Sequence, residues 1–205
     1  MTLENYTNQE LLKELNSRLI EPPMVQQPED TLDIFQPLSE ITPYSIIMRM
    51  IEQGWKENPK IGESDPRIDK MWAYLGFPQY SDDESYCAAT VNACLKLAGY
   101  ETSGSIPVAR SFESYGKQVT LSHVKEGDIV VFERNGSSWR GHVGFVTSIA
   151  TDSLLVSGGN QENKMCTEKY SFHGSNLRVT NFRRISEMNR VTKPDIDTLK
   201  AWGLY

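Results

Sequence analysis

The hydrophobic pattern of this chain changes once, after residue 115, and that change restricts the fold class. Before it, apolar residues recur at three- and four-residue spacing, which predicts helices at 7–19, 44–55, 66–75, 87–98 and 108–115. After it, short runs rich in β-branched and aromatic residues alternate with glycine, asparagine and serine turns. These runs predict strands at 128–133, 143–149, 153–157, 168–172 and 177–185. Helices followed by strands predict an α+β fold, with N-terminal helices packed on an antiparallel sheet.

The chain divides into three predicted parts. Residues 1–43 contain the first helix and an arm rich in proline, glutamine and acidic residues, which indicates a surface segment rather than a separate domain. Residues 44–187 hold the other predicted helices and strands and form the predicted catalytic domain. Residues 188–205 are predicted to be a C-terminal tail.

Composition excludes several function classes. The formal net charge of −6 argues against nucleic acid or an anionic membrane surface as the main partner, and no apolar run is long enough to span a membrane. The segment MTLENYTNQELLKELN lacks the basic start and apolar stretch of a secretory signal, so we expect synthesis in the cytoplasm and export by another route. The three cysteines have no zinc-ligand spacing, so neither a metal nor another cofactor is expected.

One of these cysteines is a candidate nucleophile. Cys87 lies in the first turn of a predicted helix that Gly99 ends, in the segment SDDESYCAATVNACLKLAGY. Unpaired N–H groups and the helix dipole at this position favour the thiolate, which is the reactive form of cysteine. The alternative is a small core residue, the usual fate of a free cysteine.

A thiol nucleophile needs a base, and the chain has three histidines. His123 and His173 lie in predicted turns and are expected to be solvated. His142 lies between two glycines at the entrance to a predicted strand, where a substrate or another backbone segment can approach closely. It is therefore the candidate base; the alternative is a histidine that only satisfies a neighbouring group.

The base needs a third group to orient its ring, and the next strand ends in Gly158-Gly159-Asn160-Gln161. If the two strands form a hairpin centred on Thr151, His142 and Asn160 are each nine residues from the centre. They would then lie level with each other. Asn160 is the predicted orienting residue; the alternative is a turn residue.

The segments SYCAATVNACLKLAGY, GDIVVFER, GHVGFV and GGNQ, in this order, resemble the NlpC-type and CHAP (cysteine, histidine-dependent amidohydrolase/peptidase) families. The resemblance extends over about residues 45–186. It implies a papain-like fold, cleavage of amide bonds in bacterial peptidoglycan, and Cys87, His142 and Asn160 as nucleophile, base and third residue. The chain departs from the pattern at Gly158, where many CHAP members carry glutamate, and at Tyr86, where relatives often carry tryptophan.

The expected reaction is acyl transfer through a thioester in the peptide stem, with the backbone N–H of Cys87 as an oxyanion donor. The predicted substrate-binding residues are Tyr86, Trp139, Gly141 and Gln161, although aromatic residues such as Tyr86, Trp72 and Trp139 more often belong to a core. The residues do not distinguish an N-acetylmuramoyl-L-alanine amidase from a D,L-endopeptidase.

The sequence leaves several biological roles open for such a protein. The favoured hypothesis is an antibacterial effector of the type VI kind, which acts in the periplasm or cell wall of a target cell and has an immunity protein and a secretion-machine component as partners. A phage endolysin with the same chemistry is the second. A catalytically silent wall-binding module and an enzyme that acts on proteins are the others.

Overall fold

In the computed structural model the described residues are 41–60 and 62–205, and those from 41 onward lie in one compact unit. The predicted helix at 7–19 and the predicted arm as far as residue 40 lie outside the described residues.

The described α-helices are α1 (Pro43–Glu52), α2 (Pro66–Tyr74), α3 (Cys87–Leu97) and α4 (Ile196–Ala201). The first three begin and end close to the positions that the sequence predicts. Thr42 and Asp65 cap α1 and α2 through their side chains, and each of these helices has proline in its first turn. The predicted helix at 108–115 is a 3₁₀ helix, Ala109–Ser114. The sequence did not predict α4.

The strands form one antiparallel sheet in the order β1-β6-β2-β3-β4-β5. Their bounds are β1 Lys117–Val119, β2 Ile129–Arg134, β3 Gly141–Ile149, β4 Ser153–Gln161, β5 Lys164–Ser171 and β6 Leu177–Arg184. β1 was not predicted. The turn predicted around His173 is present, but β5 and β6, which flank it, are not neighbours in the sheet.

The sheet separates two apolar cores. On one face, buried residues of α1, α2 and α3 form one core with Ile129, Val131, Val143 and Phe145 of the sheet. On the other face, alternate residues of the same strands form a smaller cluster that includes Val130, Phe132, Val146 and Val156. This alternation follows from the two-residue period of a strand. The fold is therefore α+β, with helices packed on an antiparallel sheet, as predicted.

The segment predicted as a C-terminal tail packs into the larger core. Leu199 and Leu204 are almost completely buried, and the Gln53 side chain donates a hydrogen bond to the backbone carbonyl of Gly203 at 2.6 Å. Trp202 packs against Trp55. Residues 196–205 are thus part of the same compact unit as the predicted catalytic domain.

Within the part of the chain that the structure describes, every helix is too short or too polar to cross a membrane.

Candidate active site

Cys87 is the first residue of a helix that is buried along nearly its whole length. In α3 only Lys96 is exposed, because the helix lies between the sheet and the other helices. Gly159 of β4 permits this arrangement, since a Cβ atom there would lie 2.1 Å from Oγ1 of Thr90. Close contact between α3 and β4 therefore fixes the position of the Cys87 thiol, which is 7% exposed.

His142 is the second residue of β3 and pairs with Phe132 of β2. Gly141 precedes it, and a Cβ atom at this glycine would lie 2.2 Å from the backbone oxygen of Phe132. The absence of a side chain at position 141 therefore permits the close approach of β2 and β3 beside His142. The imidazole is 3% exposed.

The two predicted catalytic residues line the same cavity. Its volume is about 560 Å³, which is within the usual range for small-ligand sites. The other lining residues lie before α3, at and before the start of the 3₁₀ helix, between the end of β2 and the start of β3, and near the end of β4. They are Ser85, Pro107, Val108, Ala109, Arg134, Trp139, Arg140, Gly141 and Asn160. Among the described residues, no hydrogen bond joins the Cys87 thiol to the imidazole, and such bonds are often long without substrate.

Gln161, rather than Asn160, holds the His142 ring. The Gln161 side-chain oxygen Oε1 lies 2.9 Å from His142 Nε2. The Gln161 amide nitrogen donates to the backbone carbonyls of Val156 and Cys166, at 3.1 and 2.6 Å. Because two carbonyl acceptors fix the amide nitrogen, the amide oxygen must face the ring and accept from Nε2–H. The remaining ring nitrogen, Nδ1, is then unprotonated and able to accept the proton of a thiol.

Tyr170 of β5 completes the support of the imidazole. Its hydroxyl donates to Gln161 Oε1 at 3.0 Å, and its ring stacks on the imidazole with centroids 5.6 Å apart. The Phe132 ring lies 5.9 Å from the imidazole centroid. The sequence analysis did not identify Tyr170, because its only sequence signal is an aromatic residue in a predicted strand.

A bulge in β4 explains why Gln161, one residue after the predicted partner Asn160, meets the imidazole. Phe145 pairs with Ser157, and uninterrupted pairing in that register would bring Asn160 level with His142, as predicted. However, β4 contains an extra residue between Gly158 and Gln161, and Asn160 has a φ of 54°, in the left-handed region. This local change turns the Gln161 side chain toward the imidazole. Asn160 lies at the cavity wall, with no hydrogen bond to His142 among the described residues.

The environment favours the neutral forms of both reacting groups. Burial raises the pKa of the Cys87 thiol, against the opposing effects of the Val143 and Ala88 backbone N–H groups and of the Arg134 charge. Burial lowers the pKa of His142 to about 4; the Gln161 hydrogen bond opposes this shift and the Arg134 charge adds to it. The expected thiolate is therefore not the resting state at neutral pH, because the cost of burial exceeds the effect of the helix terminus.

The predicted substrate-binding residues occupy different environments. Trp139 is 64% exposed at the cavity rim, and Gly141 also lines the cavity. Tyr86, which directly precedes α3, is completely buried and is not among the residues that line the cavity, so a contact with substrate is not supported. Gln161 is 3% exposed and supports the imidazole instead of lining the cavity. Trp72, the third aromatic residue considered, is also completely buried.

The other two histidines lie on the surface. His123 is exposed, and its ring nitrogen Nδ1 lies within hydrogen-bond distance of the hydroxyls of Thr120 and Ser122. His173 is exposed in a turn. Within residues 41–60 and 62–205, no cluster of three or more histidine, cysteine, aspartate or glutamate side chains is placed to hold a metal.

The site therefore combines a cysteine at the start of a core helix with a buried histidine on the adjacent sheet, and both side chains line one cavity. In the comparison with known proteins, residues 79–160 match the model described as CHAP domain. This match includes Cys87, His142 and Asn160, and it lies within the stretch over which the sequence resembles the NlpC-type and CHAP families.

One solved structure similar to this chain is that of NlpC1 from Trichomonas vaginalis. The two have 13% sequence identity and a TM-score of 0.39, and the match covers 78% of this chain. It covers 48% of NlpC1, so this chain spans about half the length of that protein. Among curated proteins, the comparison found no match.

Proposed function

We propose that this protein hydrolyses an amide bond in the peptide stem of bacterial peptidoglycan, with Cys87 as nucleophile and His142 as base. The observation that carries the proposal is that both side chains line one cavity of about 560 Å³ while Gln161 holds the imidazole in the tautomer that can accept a proton. The CHAP domain match supports peptidoglycan as the substrate.

Each step of the proposed reaction assigns the proton to a named atom. His142 Nδ1 takes the proton from the Cys87 thiol as the sulfur bonds to the substrate carbonyl carbon. The imidazolium then gives this proton to the departing amine, which leaves a thioester on Cys87. Water attacks the thioester with Nδ1 again as base, and the products are a carboxylate and the free thiol. The backbone N–H of Cys87, at the start of α3, is the proposed oxyanion donor.

Gln161 has the role that the sequence analysis gave to Asn160. Its amide oxygen accepts from Nε2–H throughout, so it keeps Nδ1 directed to the reacting groups and stabilises the imidazolium when it forms. Tyr170 fixes the same oxygen from the other side.

Digestion of purified sacculi tests the proposal. The wild-type protein should release soluble muropeptides, and Cys87→Ala should reduce release by at least about a thousandfold while the fold is retained. Cys94→Ala is the matched control, because Cys94 lies on the same helix but is completely buried and outside the cavity. Full activity of Cys87→Ala would contradict the proposal, and so would inactivity of the wild-type protein on sacculi. Mass spectrometry of the products identifies which bond is cut.

The biological role that we propose is that of an antibacterial effector, delivered to the wall of a target cell and neutralised by an immunity protein over the cavity. The acidic net charge supports this role over that of a lysin. Expression of the chain in the periplasm should stop growth through wall damage, and co-expression of a small neighbouring gene should restore it. A holin-like neighbouring gene would instead favour the phage endolysin.

A further inference from the structure

The described part of the cavity wall has a charge opposite to that of the whole chain. The chain contains 27 acidic and 21 basic residues, yet the described lining contains Arg134 and Arg140 and no carboxylate. An acidic protein that leaves a basic cleft attracts anionic groups into that cleft.

Arg134 is the last residue of β2, two positions after Phe132. Side chains two residues apart on a strand lie on the same face, and Phe132 pairs with His142. Arg134 therefore lies next to the imidazole at the end of the sheet. Arg134 also lines the same cavity as Cys87 and His142, and its charge lowers the pKa values of Cys87, His142 and Tyr170.

Among the described residues, the guanidinium of Arg134 has no partner that would neutralise it. Across residues 41–60 and 62–205, the ion pairs and side-chain hydrogen bonds include Arg110, Arg178 and Arg184, but not Arg134. Arg140 has no acidic partner in the same ranges, but it stacks on Trp139, with its guanidinium carbon 4.8 Å from the ring centroid. A partly buried arginine without an acidic partner beside a nucleophile is available to bind an anion.

We propose that Arg134 binds a free carboxylate of the substrate next to the amide bond that is cut. Peptide stems carry such carboxylates, so this inference deepens the proposed function and rests on it for the identity of the substrate. The bound carboxylate also neutralises the positive charge of Arg134 beside His142. The imidazolium that forms during the reaction is then no longer destabilised by that charge. Arg134 thus selects the substrate and couples its binding to proton transfer.

The first experiment tests anion binding without any wall substrate. Cys87 is alkylated with iodoacetate, which carries a carboxylate, and with neutral iodoacetamide, and mass spectrometry gives the rate for each cysteine. In the wild-type protein, we expect Cys87 to prefer iodoacetate. The ratio of the iodoacetate rate to the iodoacetamide rate should be about 10-fold higher at Cys87 than at Cys166, which lies beside Glu168. Arg134→Gln should remove this preference, whereas Arg134→Lys should keep part of it.

The matched control is Arg178→Gln, which removes the same charge from an exposed position outside the cavity. It should leave the Cys87 ratio unchanged. No preference for iodoacetate in the wild-type protein, or a preference that Arg134→Gln retains, overturns the proposal.

The second experiment uses stem peptides that differ only in whether the carboxylate beside the scissile amide is free or amidated. Arg134→Gln should lower kcat/KM about 10- to 100-fold for the free acid and by less than about threefold for the amidated peptide. Equal losses on both peptides overturn the proposal. If the wild-type protein cuts neither peptide nor sacculi, the proposed function fails, and the alkylation ratios still decide whether Arg134 binds a carboxylate.

Discussion

At the scale of single residues, the site combines a buried thiol and a buried imidazole that are both neutral at pH 7. Burial changes their two pKa values in opposite directions, and each change disfavours the charged form. Both changes thus disfavour an ion pair of the two groups before substrate binds. In the proposed reaction, the proton therefore moves from sulfur to nitrogen as the substrate is attacked, and Gln161 keeps the imidazole in the tautomer for which this transfer is possible.

The rate of Cys87 alkylation should therefore depend strongly on pH. The raised pKa of the thiol keeps the thiolate a minor species, and His142 is neutral above about pH 4. The rate of reaction with iodoacetamide should therefore rise about tenfold per pH unit between pH 6 and 8. Timed quenching and peptide mass spectrometry measure this rate. A rate that is constant from pH 5 to 8 would instead indicate a preformed thiolate–imidazolium pair.

Substitution of Gln161 should reduce activity more than substitution of Asn160. Gln161→Ala removes the acceptor for His142 Nε2 and releases the ring, so kcat/KM should fall about 10- to 100-fold. Asn160→Gly, which keeps the left-handed backbone available, should lower it less than about fivefold. Kinetics on a soluble stem peptide compare the two. A larger loss in the asparagine variant would restore Asn160 as the orienting residue.

At the scale of secondary-structure elements, the contact between α3 and β4 sets the distance between helix and sheet. Gly159 lies against Thr90 of the helix, one residue before the bulge that directs Gln161 to the imidazole. The same short segment therefore positions the nucleophile from one side and the base from the other.

Gly159→Ala should lower the free energy of unfolding by about 1–3 kcal/mol, because the new methyl group overlaps Oγ1 of Thr90. Activity should fall as well, since α3 must move. Gly104→Ala is the control, because no heavy atom lies within 4 Å of a Cβ atom there. Urea denaturation measures both variants, and equal stability of the two would show that the helix does not depend on this contact.

The elements that the sequence predicts are those with several turns or a long alternating pattern. The periodicity of Ile46, Met50 and Val91 predicts their helices, and that of Val143 and Phe145 predicts β3. The three residues of β1 and the six of α4 are too few to produce such a pattern. Gln161 rather than Asn160 meets His142 because the backbone of Asn160 has a positive φ. No alternation of residue types predicts such an angle.

At the scale of the whole molecule, the C-terminal residues complete the larger apolar core. Leu199 and Leu204 are buried with α1, α2 and α3 in one apolar cluster, so residues 196–205 stabilise the unit that contains the candidate site.

The sequence could indicate Cys87 and His142 as candidates because few residue types supply a nucleophile and a base. It could not predict the packing of residues 188–205 or the charge of the cavity, since both depend on contacts between distant segments.

Leu199→Ala should destabilise the protein by about 2–5 kcal/mol, because it leaves a cavity in a fully buried site. Leu121→Ala is the control: Leu121 is 50% exposed, and its loss should change stability by less than about 0.5 kcal/mol. Urea unfolding curves give both values. A change below 1 kcal/mol for Leu199→Ala would mean that the C-terminal helix is not part of the core in solution.

The most direct test of the proposed chemistry is the mass of the Cys87 peptide after acid quenching during turnover of a soluble stem peptide. The peptide should gain the mass of the acyl part of the substrate, joined as a thioester to Cys87, and the Cys87→Ala variant should show neither adduct nor product. Product formation without any adduct, together with undiminished turnover by Cys87→Ala, would contradict the proposed chemistry.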